Sequence, residues 1–362
     1  MKIVTVLGTR PEIIRLSIIM KKLDQLADKH VIVHTGQNFT HSLNGVFFKE
    51  LGIREPDYIL SNNQQSLGEQ LSSLFRELEK ILIKEKPDKV LVLGDTNSGL
   101  SAVLAERLMI PVVHMEAGNR CFDLNVPEEK NRKIIDAVSS FNLVYTPYSK
   151  NNLLKEGMTP SKIIITGNPI YEVLLNYEQQ IEASSILGKL NLVEKDYFLA
   201  TIHRAENVDN PSHLTHIMTA LNNIALQYNK RIIFSTHPRT RSRISGSIKL
   251  NPLIELHEPF GFFDFIALEK NARCVLTDSG TVQEECCIFH VPAVTVRKTT
   301  ERPETIDCGS NLISGLDVKA IQTGVKVMCS KPADWVCPAE YLDKNVSDKV
   351  INILLGGSEI VY

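Results

Sequence analysis

Three carboxylates in the N-terminal half occupy positions from which side chains could transfer protons. Asp95 and Glu116 follow short apolar runs, and Glu128 begins a helical pattern. Such runs are typical of buried parallel strands, and residues that follow them lie where α/β proteins bind ligands. Carboxylates that meet there can have their pKa values pushed apart, so that one donates a proton and another accepts it. The alternatives are an N-cap for Asp95 and, for Glu128, an exposed ion pair with Arg132.

A polar stretch in the C-terminal half, Thr277 to Glu285, predicts a nucleotide site. Ser279, Gly280 and Thr281 would offer backbone N–H groups and a hydroxyl at a helix N-terminus, where phosphate binds favourably. Glu285 lies further along the same helix and is placed to accept hydrogen bonds from ribose hydroxyls. Alternatively, Ser279 is only an N-cap and the acidic residues complement the helix dipole.

Cationic and aromatic residues follow other predicted strands. The candidates for binding phosphate oxygens are Arg10, His203, Arg204, His237 and Arg302. An ordinary surface arginine is the alternative for Arg10, and a hydrogen-bonded histidine at a strand end is the more frequent explanation of His237. Phe265, within an aromatic cluster, either stacks on a base or belongs to the core, which is the more frequent case.

The apolar pattern predicts an α/β protein with two Rossmann-like domains in tandem. Short apolar runs alternate with amphipathic stretches in both halves, which is typical of parallel sheets covered by helices. The turn sequence at 167–169 suggests a boundary. We predict an N-terminal domain over 1–168, a C-terminal domain over 169–341, and a terminal helix in 342–362 that crosses back to the first domain. The ligand would bind in an interdomain cleft.

The predicted strands position the candidate residues. They are Ile3 to Leu7, Val31 to His34, Lys89 to Leu93, Pro111 to His114, Leu143 to Tyr145, Lys162 to Thr166, Phe198 to Ile202, Arg231 to Ser235, Leu253 to Leu256, Cys274 to Thr277 and Ala293 to Val296.

Composition excludes several classes of protein. The chain has 362 residues, enough for two domains, and its formal net charge of −2 argues against a nucleic-acid surface. Seven cysteines without CxxC spacing indicate neither a disulfide framework nor a zinc site. No apolar run approaches the roughly 20 residues of a membrane span, and the first apolar run, which ends before Arg10 and Glu12, is too short for a signal peptide. We expect a cytoplasmic protein that contacts neither membrane nor nucleic acid.

These motifs resemble the non-hydrolysing UDP-N-acetylglucosamine 2-epimerase family over nearly the whole chain. The matching segments are Gly8 to Glu12, Gly94 to Thr96, His114 to Gly118, Pro127 to Arg132, His203 to Asn207, Asp278 to Glu285 and Thr299 to Glu304. The resemblance implies a GT-B-like fold, UDP bound mainly by the C-terminal domain, a homodimer, and a reaction without NAD, metal or other cofactor.

The resemblance also implies roles for individual residues. The family inverts carbon 2 of a UDP-linked N-acetylhexosamine by eliminating UDP to a 2-acetamidoglycal and adding it back. Asp95, Glu116 and Glu128 become the acid/base candidates, and His203 with Arg10 would stabilise the departing diphosphate. The implied UDP contacts are phosphate at Ser279 and Gly280, ribose at Glu285 and uracil near Phe265, with Arg15, Arg132, Arg204, His237, Thr281 and Arg302 as further substrate-binding candidates.

Departures from the family pattern bear on substrate and regulation. Arg15 replaces a lysine, and Thr281 replaces a second glycine. The loop from Asn119 to Val126 is short and resembles the branch that converts UDP-2-acetamido-2,6-dideoxy-L-talose into UDP-N-acetyl-L-fucosamine for capsule or O-antigen. Gln37-Asn38-Phe39 replaces the Gln-His-Arg at which relatives bind an activating UDP-sugar, so we do not expect allosteric activation.

Three other functions are compatible with a UDP site on this fold. A GT-B glycosyltransferase shares the architecture but needs an acceptor. A hydrolysing epimerase would release free UDP and free sugar. A non-catalytic UDP-sugar binder would bind without turnover, and fold by itself does not distinguish these functions.

Overall fold

The computed structural model describes residues 1–36, 45–61, 66–244 and 249–357. The chain divides into two compact units. Unit 1 comprises Met1–Asn176 and Ala339–Tyr362, and unit 2 comprises Tyr177–Pro338. Each unit contains its own parallel sheet and its own core.

Unit 1 is built on a seven-stranded sheet among its described residues. The strands are β1 (Lys2–Leu7), β2 (Lys29–His34), β3 (Tyr58–Ile59), β4 (Lys89–Leu93), β5 (Val112–Met115), β6 (Phe141–Val144) and β7 (Ile163–Ile165). Their spatial order is β3-β2-β1-β4-β5-β6-β7, and all pairs are parallel. The helices of this part of the chain are α1 (Arg10–Leu26), α2 (Val46–Glu50), α3 (Leu67–Glu85), α4 (Ser101–Arg107), α5 (Pro127–Val138), α6 (Pro147–Lys155) and α7 (Ile170–Asn176).

Unit 2 repeats this plan with a six-stranded parallel sheet in the part of the chain that the structure describes. The strands are β8 (Tyr197–Thr201), β9 (Arg231–Ser235), β10 (Ile254–His257), β11 (Cys274–Thr277), β12 (Ala293–Thr295) and β13 (Asn311–Ile313), in the order β10-β9-β8-β11-β12-β13. The helices are α8 (Glu178–Glu182), α9 (Ile186–Lys189), α10 (Ala205–Val208), α11 (Pro211–Tyr228), α12 (Pro238–Ile244), α13 (Phe262–Lys270), α14 (Gly280–Phe289), α15 (Pro303–Asp307) and α16 (Val318–Cys329).

The central strands are buried on both faces, which explains their nearly continuous apolar sequences. Every residue of β4 and β11 is buried, Lys89 included, because helices cover both sides of a parallel sheet. The Lys89 ammonium remains hydrogen-bonded, donating to the carbonyl of Ile353 at 2.7 Å. The predicted fold class of two Rossmann-like α/β domains is thereby confirmed.

The C-terminal helix α17 (Val346–Leu355) belongs to unit 1, where it packs against α1. The backbone N–H of Ser347 donates to Glu172 of α7 at 2.8 Å. Because α7 is joined to unit 1 in this way, the chain leaves that unit after Asn176 rather than at the predicted boundary after residue 168. The return crossing likewise begins at Ala339, before the predicted residue 342.

The lengths and sequences of the helices also bear on membrane insertion. Within the four described ranges, no helix combines the length and apolar character needed to cross a bilayer.

Candidate active site

Two of the predicted acidic residues lie at the carboxyl edge of unit 1, the edge at which its parallel strands end. Asp95 and Glu116 follow the neighbouring strands β4 and β5, in which Leu93 lies opposite Met115. The N–H of Gly94 donates to the carbonyl of Met115 at 3.0 Å and continues the pairing beyond the strands. The topology therefore brings these two distant residues into adjacent turns.

Glu116 is held by a buried cation and an aromatic residue. Its carboxylate accepts hydrogen bonds from Arg15 Nη1 and, at 3.4 Å, from the hydroxyl of Tyr145. The Arg15 guanidinium lies 5.7 Å from the centre of the Tyr145 ring. Glu116 also has a left-handed φ of +65°, a conformation that costs energy in a non-glycine residue and is frequent at functional sites. The structure thus places Arg15 against an acid/base candidate.

Asp95 is held by α5. Arg132 Nη2 donates to its carboxylate, and Asn131 Nδ2 donates to its carbonyl at 2.9 Å. Arg132 also donates to Glu129 at 3.0 Å. Glu128, the third predicted acid, is half-buried in the first turn of the same helix. All three acidic candidates therefore belong to one connected group of elements.

Glu12 stabilises two turns at this edge of the sheet, although no role was predicted for it from the sequence. Its carboxylate accepts hydrogen bonds from the N–H groups of Gly8 (2.6 Å) and Thr9 (2.7 Å) and from the Thr96 hydroxyl (2.6 Å). Burial raises the pKa of Glu12 to about 7, although these donors act in the opposite direction. Glu12 thus connects the turn that precedes Arg10 with the turn that carries Asp95.

Arg10 lies at the first position of α1, immediately after that turn. It is half-buried, and its guanidinium lies 5.7 Å from the centre of the Phe47 ring. Burial lowers the pKa of this guanidinium.

Arg120 anchors the loop that runs from Asn119 to Val126. It is 2% exposed, lies 2.7 Å from Asp136 and donates from Nε (3.0 Å) and Nη2 (2.7 Å) to Glu156. Gly118, just before it, has a φ of +77°, and a Cβ there would clash with the carbonyl oxygen of Ser149. The loop is therefore fastened at its start, and Phe122 further along is 73% exposed.

In unit 2, the buried Asp278 organises the carboxyl edge of the sheet. It accepts hydrogen bonds from the N–H groups of His203 (3.1 Å) and Arg204 (2.9 Å) and from Asn207 Nδ2 (3.0 Å). Thr277 and Thr201 lie opposite one another at the ends of β11 and β8. Asp278 thus fixes the turn after β8 against the turn after β11, and the His203 side chain is 46% exposed there.

The start of α14 has the features expected of a phosphate site. Ser279 is the N-cap residue but makes no side-chain capping hydrogen bond within the described chain, so its hydroxyl is not used to close the helix. A Cβ at Gly280 would lie 2.8 Å from Glu301 Oε1, so any other residue there would require the Glu301 side chain to move. Thr281 follows in the first turn of the helix.

The arginines near this turn are bound to buried acids. Arg302 Nε pairs with Glu284, and Arg204 Nη2 donates to Glu301 at 3.3 Å. Arg297 Nη1 also donates to Glu301 at 3.0 Å. A Cβ at Gly280 would lie 3.5 Å from Arg302 Nη2, and Arg204 reaches the same Glu301, so both arginines lie near the α14 N-terminus. The sequence did not indicate their acidic partners.

The remaining candidates of unit 2, which are Glu285, Phe265 and His237, differ in how deeply their side chains are buried. Glu285 is 3% exposed and neighbours Glu269, whose pKa is raised well above its usual range by burial and by the nearby Glu285 charge. Phe265 is half-buried on α13, while the nearby Phe262 is in the core. His237 is half-buried just after β9.

Clusters of acidic residues can also bind metal ions. In the residues that the structure describes, no group of three or more histidine, cysteine, aspartate or glutamate side chains is arranged to hold a metal ion.

Comparisons with known proteins agree with this architecture. A model of the UDP-N-acetylglucosamine 2-epimerase family matches residues 21–355. The UDP-N-acetylglucosamine 2-epimerase of Methanocaldococcus jannaschii is 42% identical over 99% of this chain and 100% of its own length. The crystal structure of that enzyme with UDP-GlcNAc and UDP superposes with a TM-score of 0.93, again covering 99% and 100%.

A second relative has a different substrate in its name. The UDP-2,3-diacetamido-2,3-dideoxy-D-glucuronate 2-epimerase of Pseudomonas aeruginosa is 40% identical over 87% of this chain and 88% of its own length. The two parallel-sheet α/β units, together with the family match and these relatives, identify a nucleotide-sugar isomerase. The chain belongs to the UDP-N-acetylglucosamine 2-epimerase family.

Proposed function

We propose that this enzyme inverts carbon 2 of a UDP-N-acetylhexosamine without hydrolysing it. UDP leaves carbon 1 as the carbon 2 proton is removed, which gives a 2-acetamidoglycal. UDP then adds back to carbon 1 and a proton to the other face of carbon 2. The observation that carries this proposal is the placement of Asp95 and Glu116 in adjacent turns, each held by a buried arginine.

In this reaction, Asp95, Glu116 and Glu128 are the groups that remove and return the proton. A carboxylate is a weak base, so the carbon 2 proton can leave only when carbon 1 has developed oxocarbenium character. Stabilisation of the departing diphosphate must therefore assist the base. We assign that role to His203 and Arg10, of which His203 has an exposed side chain.

UDP is assigned to the carboxyl edge of unit 2. Ser279, Gly280 and Thr281 would bind phosphate at the α14 N-terminus, and Glu285 the ribose. Phe265 would lie near the uracil. Arg204, Arg302 and His237 complete this group, and Arg15 and Arg132 bind the substrate or orient its acid/base groups.

The test is proton NMR of the enzyme with a UDP-N-acetylhexosamine in deuterated water. We expect deuterium at carbon 2 of both epimers and no free sugar. A second sample would carry ¹⁸O in the bond between carbon 1 and the β-phosphate. We expect this label to spread to the non-bridging oxygens of the β-phosphate, because UDP is detached from carbon 1 before it adds back. Exchange at carbon 2 without scrambling would contradict the elimination mechanism.

The same experiment separates the alternative functions. Accumulation of free UDP and sugar would indicate a hydrolysing epimerase. Turnover that requires an added acceptor would indicate a glycosyltransferase. UDP binding without exchange in any substrate would indicate a UDP-sugar binder.

Two candidate sugars follow from different observations. UDP-N-acetylglucosamine is named for the relative that is 42% identical over its full length. UDP-2-acetamido-2,6-dideoxy-L-talose, converted to UDP-N-acetyl-L-fucosamine, remains our candidate from the loop sequence. In that loop, Arg120 is buried, whereas Phe122 is 73% and Leu124 is 58% exposed. Exposed apolar side chains suit the 6-methyl group of a 6-deoxy sugar better than a 6-hydroxyl.

Competition between these two sugars, with UDP-2,3-diacetamido-2,3-dideoxy-D-glucuronate as a third, would identify the substrate. If Phe122 contacts the sugar, Phe122→Ala should change the ratio of kcat/KM values between sugars by roughly tenfold. Leu26→Ala is the matched control, because Leu26 is an exposed apolar residue at the end of α1. An unchanged ratio would remove Phe122 from the substrate site.

The biological setting is part of the same proposal. We infer a cytoplasmic homodimer that supplies a nucleotide sugar for bacterial surface polysaccharide such as capsule or O-antigen. Light scattering of the purified protein tests the dimer. Gln37-Asn38-Phe39, which bear on allosteric activation, lie outside the described residues. Whether added UDP-N-acetylglucosamine activates turnover of another sugar tests that prediction.

A further inference from the structure

Glu129 is a fully buried carboxylate in the first turn of α5, and it lies beside the acid/base candidate Glu128. It accepts hydrogen bonds from the N–H groups of Cys121 (3.0 Å) and Phe122 (3.2 Å) and from Arg132 Nη1 (3.0 Å). A buried carboxylate is tolerated when its lone pairs are occupied in this way. Glu129 thus has two kinds of partner, a loop backbone and an arginine.

The arginine connects Glu129 to the acid/base group Asp95. Arg132 uses Nη1 for Glu129 and Nη2 for Asp95, so one planar guanidinium is shared between two carboxylates. Charge-assisted hydrogen bonds to a rigid guanidinium fix direction as well as distance. The position of the Asp95 carboxylate therefore depends on Glu129, which binds Nη1 of the same guanidinium.

The other connection leads to the loop. Phe122 has a φ of +58°, which is unfavourable for an aromatic residue, and its side chain is 73% exposed. Strain of this kind persists where surrounding contacts impose it. The N–H groups of Cys121 and Phe122, which Glu129 binds, are among these contacts, so Glu129 helps to hold the loop in this conformation.

We propose that Glu129 is a positioning residue that couples this loop to the Arg132–Asp95 ion pair during the C2 epimerisation proposed above. Successive helical residues point about 100° apart, so Glu128 and Glu129 face different surroundings. Glu128 is half-buried, while Glu129 is enclosed. Glu129 therefore acts through Arg132 and the loop, and contact with the substrate is left to its neighbours.

The substitution Glu129→Gln tests this coupling with little change in shape. In the wild type, Oε1 accepts from the Phe122 N–H, whereas Oε2 accepts from both the Cys121 N–H and Arg132 Nη1. The amide has one acceptor oxygen, so its NH₂ group must face either Phe122 or the pair of Cys121 and Arg132, all of which are donors. One of the two connections is then lost. Displacement of a reacting group by about 1 Å costs roughly 100-fold in rate, so we expect that loss in kcat for carbon 2 exchange.

Glu106→Gln is the matched control in the same unit. Glu106 accepts hydrogen bonds from the N–H groups of Val112 (2.8 Å) and Ser140 (2.7 Å) and from the Ser140 hydroxyl (2.7 Å). Val112 begins β5 and Ser140 precedes β6, at the edge opposite the acid/base group. All three donors bind Oε1, so the glutamine oxygen can keep these hydrogen bonds while the charge is lost. We therefore expect a small fall in melting temperature and a kcat within about twofold of the wild-type value.

Affinity for UDP separates a positioning role from general damage to the fold. UDP is assigned to unit 2, so Glu129→Gln should bind UDP as the wild-type enzyme does while its kcat falls. Glu129→Asp, which keeps the charge but shortens the side chain, should recover part of the loss in kcat and is the second variant if Glu129→Gln does not fold. Wild-type kcat in Glu129→Asp and Glu129→Gln, or equal losses in Glu129→Gln and Glu106→Gln, would overturn the inference.

The wild-type measurement keeps this inference distinct from the proposed function. Carbon 2 exchange in the wild-type enzyme with no contrast between the Glu129 and Glu106 variants would overturn the positioning role alone. Absence of exchange in the wild-type enzyme would overturn both.

Discussion

In both units, a buried acidic residue joins the turns that follow two neighbouring central strands. In unit 1 this residue follows the first strand of the pair along the chain, and in unit 2 it follows the second. In unit 1, Glu12 follows β1 and also binds Thr96 in the turn after the neighbouring strand β4. In unit 2, Asp278 follows β11 and binds the N–H groups of the turn after its neighbour β8. Both acids join the turns of the two central strands, Glu12 through the Thr96 hydroxyl and Asp278 through backbone N–H groups.

The candidate site residues on these turns have opposite charges in the two units. In unit 1, buried arginines hold Asp95 and Glu116. In unit 2, buried acids hold Arg204 and Arg302 beside the α14 N-terminus. The parallel sheet thus provides the edge, whereas the choice of side chain decides whether that edge carries carboxylates held by arginines or arginines held by carboxylates. Substitutions in each unit can test this division.

Asp95→Asn is expected to have the greatest effect. Loss of a general acid or base costs about 1,000-fold in rate, and this variant should lose carbon 2 exchange to that extent. Its affinity for UDP, measured by calorimetry, should stay unchanged because UDP is assigned to unit 2. A comparable loss of UDP affinity would contradict the division between the units.

Glu12 should make the stability of the protein depend on pH. Its pKa is about 7 in the folded protein and ordinarily 4.5, so the folded state holds more protons between these values. Stability should therefore fall as pH rises from about 4.5 to about 7, by about 3 kcal/mol in total, and this dependence should then level off. Denaturant unfolding of wild type and Glu12→Gln across this range checks it.

The Glu12→Gln variant should show a flatter pH profile, because a glutamine side chain has no proton to lose in this range. Parallel profiles for the two proteins would mean that the Glu12 carboxyl does not titrate in this window.

Asp278→Asn should weaken the brace of unit 2. Hydrogen bonds to a charged acceptor are replaced by weaker ones, so we expect a loss of about 2 kcal/mol in stability and weaker UDP binding. Carbon 2 exchange at saturating substrate should decline less than in Asp95→Asn. Asp317→Asn is the control, because Asp317 caps α16 through Ala320 N–H at 3.0 Å and asparagine caps equally well. Equal effects of the two substitutions would contradict a special role for Asp278.

Gly280→Ala is expected to change the protein least. The new Cβ would lie 2.8 Å from Glu301 Oε1, so Glu301 must move. We expect a loss of about 1 kcal/mol, measured as UDP affinity. Gly188→Ala is the matched control, because a Cβ at that helical glycine in α9 has open space around it. Unchanged UDP affinity in Gly280→Ala would argue against phosphate binding at this turn.

Much of the fold could be predicted because buried parallel strands have distinctive apolar sequences. The runs Lys89–Leu93 and Cys274–Thr277 have the same bounds in the structure as in the prediction. Strands β3 and β13 were missed, because two or three residues at the edge of a sheet are too few to show a periodic pattern. The early boundary prediction placed α7 in the wrong unit, since its membership depends on contacts with α1 and α17.

By itself, the sequence determined which side chains follow the central strands, and hence that Asp95, Glu116 and Ser279 lie at carboxyl edges. A strand and the turn after it are local features, so a short apolar run followed by a polar residue suffices. Only the tertiary structure decided that Glu12 and Glu129 support these residues. Their partners are mainly backbone N–H groups, which any residue except proline can supply, so no side-chain pattern in the sequence identifies them.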